Sequence, residues 1–158
     1  MQSSVNTLFS SNTCSGGHGI SVGSIGGPIL NASDIVQGLT VSNNKIINSD
    51  NGLRIKTIVN LQGLVTGVTY LNNVLTNVKN AIVLHSDYDK AQGGYTGSPT
   101  SLVGIKNITI YGLSGTAAKM FNILVNPSVV SDWNWSGITV NAKSKGTCQG
   151  QPSGITCS

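Results

Sequence analysis

The chain has 158 residues with 9 Lys+Arg against 5 Asp+Glu, and only 9% of it is charged, where an ordinary globular domain carries roughly 25%. The absence of any Glu and the scarcity of Ala, Leu, Lys and Arg exclude a helical bundle, while 39% hydrophobic residues at a net charge of +4 exclude a disordered chain. The composition is instead 20 Gly, 20 Ser, 17 Asn and 14 Thr with 15 Val and 15 Ile, which is strand and turn chemistry.

The opening Met1-Gln2-Ser3-Ser4-Val5-Asn6 lacks the basic start and apolar core of a signal peptide. Sequons at Asn31, Asn107 and Asn134, and a Cys148…Cys157 pair near the C-terminus, nevertheless suit a secreted glycoprotein. If Cys148 bonds Cys157, Cys14 is left over. The expectation that reconciles these signals is that part of the protein precedes Met1. No apolar run reaches the roughly 18 residues of a membrane span, and the cations do not interleave with aromatics as a nucleic-acid surface requires.

Along the chain, Gly38-Leu39-Thr40-Val41 recurs as Gly67-Val68-Thr69-Tyr70, as Asn107-Ile108-Thr109-Ile110 and as Gly137-Ile138-Thr139-Val140, with the Thr positions 29, 40 and 30 residues apart. Asn43, Asn44, Asn48 and Asn51 are each followed 29 residues later by another Asn. A fixed period of this length, carried by short apolar-alternating runs between Asn and Gly corners, predicts coils of about 29 residues stacked as a parallel β-helix. Alternation places Leu39/Val41, Val68/Tyr70, Ile108/Ile110 and Ile138/Val140 inside and the four Thr outside. The Asn residues fall at corners, where they tolerate left-handed backbone and can hydrogen-bond along the axis. An antiparallel sandwich also spaces turns regularly, but does not predict this register. The 40-residue interval holds an insertion over residues 85–99, read as a loop on one face.

A second strand set aligns Gly19-Ile20-Ser21-Val22-Gly23 with Gly52-Leu53-Arg54-Ile55-Lys56 and Ala81-Ile82-Val83-Leu84-His85. Arg54 and Lys56 then share the outer face about 7 Å apart, beside the small Ser21 and Gly23. His18 stands just before the first of these strands and Tyr88 just after the last. Two cations, an imidazole and an aromatic on one wall describe a site for an extended anionic ligand, whereas an outward Arg-x-Lys taken alone reads equally as a solvated face.

Cys14-Ser15-Gly16-Gly17-His18-Gly19-Ile20-Ser21-Val22-Gly23 and Asn48-Ser49-Asp50-Asn51-Gly52-Leu53-Arg54-Ile55-Lys56-Thr57 resemble the two hallmark segments of the endo-polygalacturonases of glycoside hydrolase family 28. Ser86-Asp87-Tyr88, Gly97-Ser98-Pro99-Thr100 and Ser131-Asp132-Trp133-Asn134-Trp135-Ser136-Gly137 resemble fungal members in the same order, so the resemblance covers essentially the whole chain. It implies an all-β, right-handed parallel β-helix of the pectin-lyase-like type, forming one domain over residues 1–158. It also implies inverting hydrolysis of α-1,4-galacturonosyl bonds in polygalacturonate or pectin, without metal or cofactor, by a secreted protein that is a monomer at full length. Within it, His18 resembles the active-site histidine that assists at the catalytic acid, Arg54 and Lys56 the pair that binds galacturonate carboxylates, and Tyr88 the subsite tyrosine.

The family's Asn-x-Asp and Asp-Asp segments precede the Gly-His-Gly motif, and here no acid lies before His18. Asp87 and Asp89 read as turn residues and Asp50 as a corner residue. The expectation is therefore the C-terminal coils of a polygalacturonase, holding the binding half of the site without its catalytic Asp residues. Cys14 resembles a cysteine whose partner lies beside the absent Asp-Asp. Two other functions compete: a Ca²⁺-assisted pectate lyase, for which the five scattered Asp make no cluster, and a non-catalytic β-solenoid that binds polysaccharide.

Overall fold

The computed structural model describes residues 1–157, which fold as a parallel β-solenoid of about five turns. One sheet stacks β1 (Ser4–Ser10), β4 (Ile35–Ser42), β7 (Leu64–Leu71), β10 (Gly104–Tyr111) and β12 (Val130–Ser136), each parallel to its neighbour. The facing sheet takes β2 (Thr13–Ser15) and β3 (Ile20–Ile25) from the first coil, β5 (Lys45–Ile47) and β6 (Asn51–Ile58) from the second, then β8 (Val74–Asp89), β11 (Ser114–Leu124) and β13 (Thr139–Gln149). The core lies between the sheets. Leu39, Val68, Ile108 and Trp133 form one interior column, and Val41, Tyr70, Ile110 and Trp135 the next. Leu53, Ile82 and Phe121 with Ile55, Leu84 and Ile123 face them from the second sheet. Branched and aromatic side chains fill these columns because they pack well on a pleated surface.

The first three repeats pair as the sequence predicts: Thr40 meets Thr69, and Thr69 meets Thr109. The fourth does not. Thr109 pairs with Asn134, only 25 residues on, and the last motif is Asp132-Trp133-Asn134-Trp135 instead of Gly137-Ile138-Thr139-Val140. The physical reason lies in the backbone. Asn6, Gly38, Gly67, Asn107 and Asp132 form a column of positive φ (52°, 68°, 63°, 54° and 58°) that interrupts the pairing of every strand of the first sheet at the same place without shifting its register. Asp tolerates that conformation as Asn and Gly do. Gly137 (φ 62°) belongs to the following corner column, with Ser11, Asn43, Asn72 and Gly112. A Gly satisfies either column, so its presence alone does not fix the register.

At that corner the amides of Asn12, Asn44 and Asn73 stack as a ladder. Asn12 Nδ2 donates to Asn44 Oδ1 at 3.1 Å, and Asn44 Nδ2 to Asn73 Oδ1 at 3.0 Å. The outer end of Asn44 Nδ2 reaches Phe9 O at 3.1 Å, and Asn73 Nδ2 reaches Val41 O at 3.0 Å. The insertion is not a free loop: β8 runs on to Asp89 and pairs antiparallel with β9 (Gly94–Tyr95). At the far end Cys148 is disulfide-bonded to Cys157, tying β13 to a tail whose Ile155 enters the core, while Cys14 remains a free thiol.

Candidate functional site

The second sheet aligns as the sequence predicts, with Ser21 beside Arg54 beside Val83, and Lys56 beside His85. Inward Leu53 and Ile55 leave Arg54 and Lys56 on the outer face. Arg54 Nε donates to Ser21 Oγ at 2.9 Å, so the small hydroxyl of the preceding coil sets the direction of the guanidinium. The Lys56 stem passes over Gly23, where a Cβ would lie 3.0 Å from Lys56 Cγ, and its Nζ stands 4.0 Å from the centroid of the Tyr88 ring. Lys56, Tyr88 and Arg54 thus share one wall.

His18 occupies the corner ahead of β3. Gly19, at φ +87°, has no room for a Cβ because the Asn51 carbonyl of the next coil occupies that space, so only glycine lets the chain approach so closely. Asn51 Nδ2 donates to His18 O at 2.9 Å, and Asp50 N donates to Gly17 O at 2.9 Å. These bonds present the His18 ring outward, where its Nδ1 lies 3.1 Å from Asp50 Oδ2 and its side chain is 76% exposed. Asp50 also pairs with Lys79 Nζ at 2.7 Å. The hydrogen bonds from Lys79 and then His18, helped by their charge, hold the Asp50 carboxyl below its ordinary value. Among the described residues no hydrogen bond or ion pair joins His18 to Arg54, Lys56 or Tyr88; Arg54, Lys56 and Tyr88 share a sheet while His18 stands at its corner, and Lys56 and Tyr88 touch directly.

Asp50 is a corner residue as expected, though its bond to His18 was not foreseen. Asp89 is the expected turn residue, accepting from the backbone N–H groups of Ala91 (2.9 Å) and Gln92 (3.1 Å). Asp87 departs from expectation: it is 1% exposed, accepts from Gly97 N at 2.7 Å and meets His85 Nδ1 at 2.6 Å. His85 Nε2 lies 2.9 Å from Asn122 Oδ1, and the ring is stacked on Tyr95 at 3.8 Å. Sequence reasoning missed His85, Asn122 and Tyr95, which the hairpin and the next coil bring to the wall. The three sequon asparagines, Asn31, Asn107 and Asn134, are exposed. Among the described residues no three His, Cys, Asp or Glu converge as a metal would need. A cavity of about 490 Å³ lies away from this wall, between Phe121, Trp135, Val140 and Ile155 of the last coils.

Chemically, the wall offers a guanidinium and an ammonium from residues about 7 Å apart along the strand, an aromatic face, and no uncommitted carboxylate: Asp50 and Asp87 are both bound to histidines. Such a surface holds carboxylate groups spaced along a chain. A family model described as glycosyl hydrolases family 28 matches residues 1–157. The chain is 41% identical over 162 residues to a protein named probable endopolygalacturonase I of Aspergillus terreus, covering 99% of this chain and 43% of that protein. It is 43% identical to endopolygalacturonase I of Aspergillus oryzae over the same shares. It is 40% identical to endopolygalacturonase 1 of Colletotrichum lindemuthianum, covering 98% of this chain and 42% of that protein. The chain spans less than half the length of these relatives.

Proposed function

The chain belongs to glycosyl hydrolases family 28, and from that premise we propose that it forms the substrate-binding part of a polygalacturonase acting on α-1,4-galacturonosyl bonds. The observation that carries this reading is the placement of Arg54 and Lys56 on alternate outward positions of β6, with Tyr88 against the ammonium. Each cation takes a uronate carboxylate through charge-assisted hydrogen bonds. Tyr88 offers the apolar face of the sugar a ring to lie against. His18, tied to Asp50 at the corner, lies at the end of this wall and assists a proton-transfer step there.

Inverting hydrolysis needs a carboxylic acid and a carboxylate roughly 6.5–9.5 Å apart, with a water between. Asp50 and Asp87 are committed to histidines and Asp89 to its own turn. We therefore assign the acid and the water-activating base to carboxylates other than Asp50, Asp87 and Asp89. The disulfide and the exposed sequons support secretion with N-glycosylation at Asn31, Asn107 and Asn134.

The test is retardation of the purified chain in gels containing polygalacturonate, together with a reducing-end assay. The chain should be retarded yet release no reducing ends, and Arg54→Ala should migrate as in an empty gel. Equal retardation of wild type and Arg54→Ala would overturn the assigned wall. Release of reducing ends would place the acid among Asp50, Asp87 and Asp89.

A further inference from the structure

We propose that Tyr95 is a further sugar-binding residue: the open face of its ring takes a uronate unit of the polymer beyond those held at Arg54, Lys56 and Tyr88. This rests on the reading of those three as a uronate-binding wall and lengthens that wall by a residue that lies in none of the motifs.

The hairpin places Tyr95 on the wall. β9 pairs antiparallel with the end of β8, with Tyr95 directly opposite Tyr88, and directly opposite residues share one face of a sheet. The two rings stand 6.1 Å apart with planes at 73°. Tyr95 is the more accessible of the pair. Tyr88 is half-buried and carries the Lys56 ammonium over its ring, whereas Tyr95 is 40% exposed. One face of Tyr95 lies on the His85 ring, with centroids 3.8 Å apart and planes at 21°, so the surface left to solvent is the side turned away from His85.

The support beneath that ring is buried and paired throughout. His85 is 5% and Asp87 1% exposed. The His85 ring is held at both nitrogens, by Asp87 Oδ1 at 2.6 Å and by Asn122 Oδ1 of the next coil at 2.9 Å. Asp87 also fixes the residues that follow Tyr95: its backbone oxygen accepts from Thr96 N at 2.8 Å and its Oδ2 from Gly97 N at 2.7 Å. Burying an imidazole and a carboxyl is costly unless every group is satisfied, and a satisfied network is rigid. Closing the turn does not require it, because Asp89 already does so through the backbone of Ala91 and Gln92. The network instead holds one aromatic ring still with a side open. A pyranose presents a face of C–H groups that lies flat on such a ring, and a ring fixed beforehand loses little freedom when the sugar arrives.

Calorimetric titration with galacturonate oligomers of two lengths tests this, with thermal midpoints as the control for folding. Digalacturonate has two carboxylates, which Arg54 and Lys56 engage; hexagalacturonate runs on past them. Tyr95→Leu keeps an apolar side chain without the flat ring and should lower hexagalacturonate affinity about 3- to 10-fold, the scale of one aromatic stacking contact, while digalacturonate affinity stays at its wild-type value. Tyr95→Phe restores the ring and should restore the hexagalacturonate affinity. Unchanged hexagalacturonate affinity in Tyr95→Leu, or an equal loss for both lengths, would overturn the proposal. Should Tyr95→Leu melt early, ring-proton NMR of the wild-type chain decides: hexagalacturonate should move the Tyr95 ring resonances and digalacturonate should not, and resonances that hexagalacturonate leaves in place would overturn it. Absence of binding of either oligomer by wild type would overturn the uronate-binding reading of the wall and this proposal with it, whereas a Tyr95→Leu variant that binds both oligomers like wild type overturns this proposal alone.

Discussion

Lys56 and Tyr88 meet with 4.0 Å between ammonium and ring centroid because the strand pairing shifts between them. Lys56 is in register with His85, but Ile58 is in register with Tyr88, so β8 carries one more residue than β6 across this stretch. In a strand of period 2, one extra residue moves the following side chain to the other face. The bulge thereby brings Tyr88 to the wall that carries Lys56. The contact stabilises by about 0.5–1 kcal/mol where exposed and about 2 when desolvated. Tyr88→Ala should weaken polygalacturonate binding about 3- to 10-fold and Tyr88→Phe should retain it, since the ring quadrupole survives. Calorimetric titration of both variants checks this; equal loss in Tyr88→Phe would assign the effect to the hydroxyl.

The Asn ladder predicts an uneven stability map. Asn44 is fully buried and bonded to both neighbouring coils. Asn44→Ala leaves several buried groups unpaired, at about 1–3 kcal/mol each. Asn48 and Asn77 make a similar bond, Nδ2 to Oδ1 at 2.9 Å, but at an exposed corner. Denaturant unfolding should show Asn44→Ala destabilised by at least about 2 kcal/mol and Asn77→Ala by less than about 1. Equal losses would mean that the ladder's burial contributes nothing.

Acid should reveal the Asp50 pairing. A carboxyl whose pKa is lower in the folded than in the unfolded state stabilises the fold above the unfolded value, and that contribution disappears as pH falls through the folded one. Lys79 and His18 hold Asp50 below its ordinary 3.8. Asp50→Asn should therefore melt below wild type at neutral pH, with the two curves converging as pH drops below 3.8. The gap should shrink with added salt, because this pair is exposed and screened. A gap that widened in acid would contradict the assignment.

The sequence shows the architecture through its backbone requirements. Gly38, Gly67 and Asn107 open the repeats because each coil needs positive φ at that point, and only a few residue types supply it. The same generality hid the fourth coil: Asp132 fills the column without looking like Gly, and Gly137 fills the next one. In the site, Ser21, Arg54 and Lys56 were legible because they lie on strands that obey the coil register. Tyr95 was not, because an antiparallel hairpin and not the repeat brings it to His85, and Asp87 was not, because it lies in the stretch of β8 where the pairing with β6 shifts register. Asn122 was hidden too, since its strand follows the insertion that breaks the 29-residue period.

The central claim is that Arg54 and Lys56 read carboxylates along a sugar chain, and calorimetric titration with polygalacturonate and with its fully methyl-esterified form tests it most directly. Esterification removes the charge while leaving the sugar backbone in place. The account predicts binding of the free acid that weakens with salt, no measurable binding of the ester, and about 10- to 100-fold weaker binding of the acid by either Arg54→Ala or Lys56→Ala, the scale of one charge-assisted contact. Equal affinity for acid and ester, or binding indifferent to both substitutions, would contradict it.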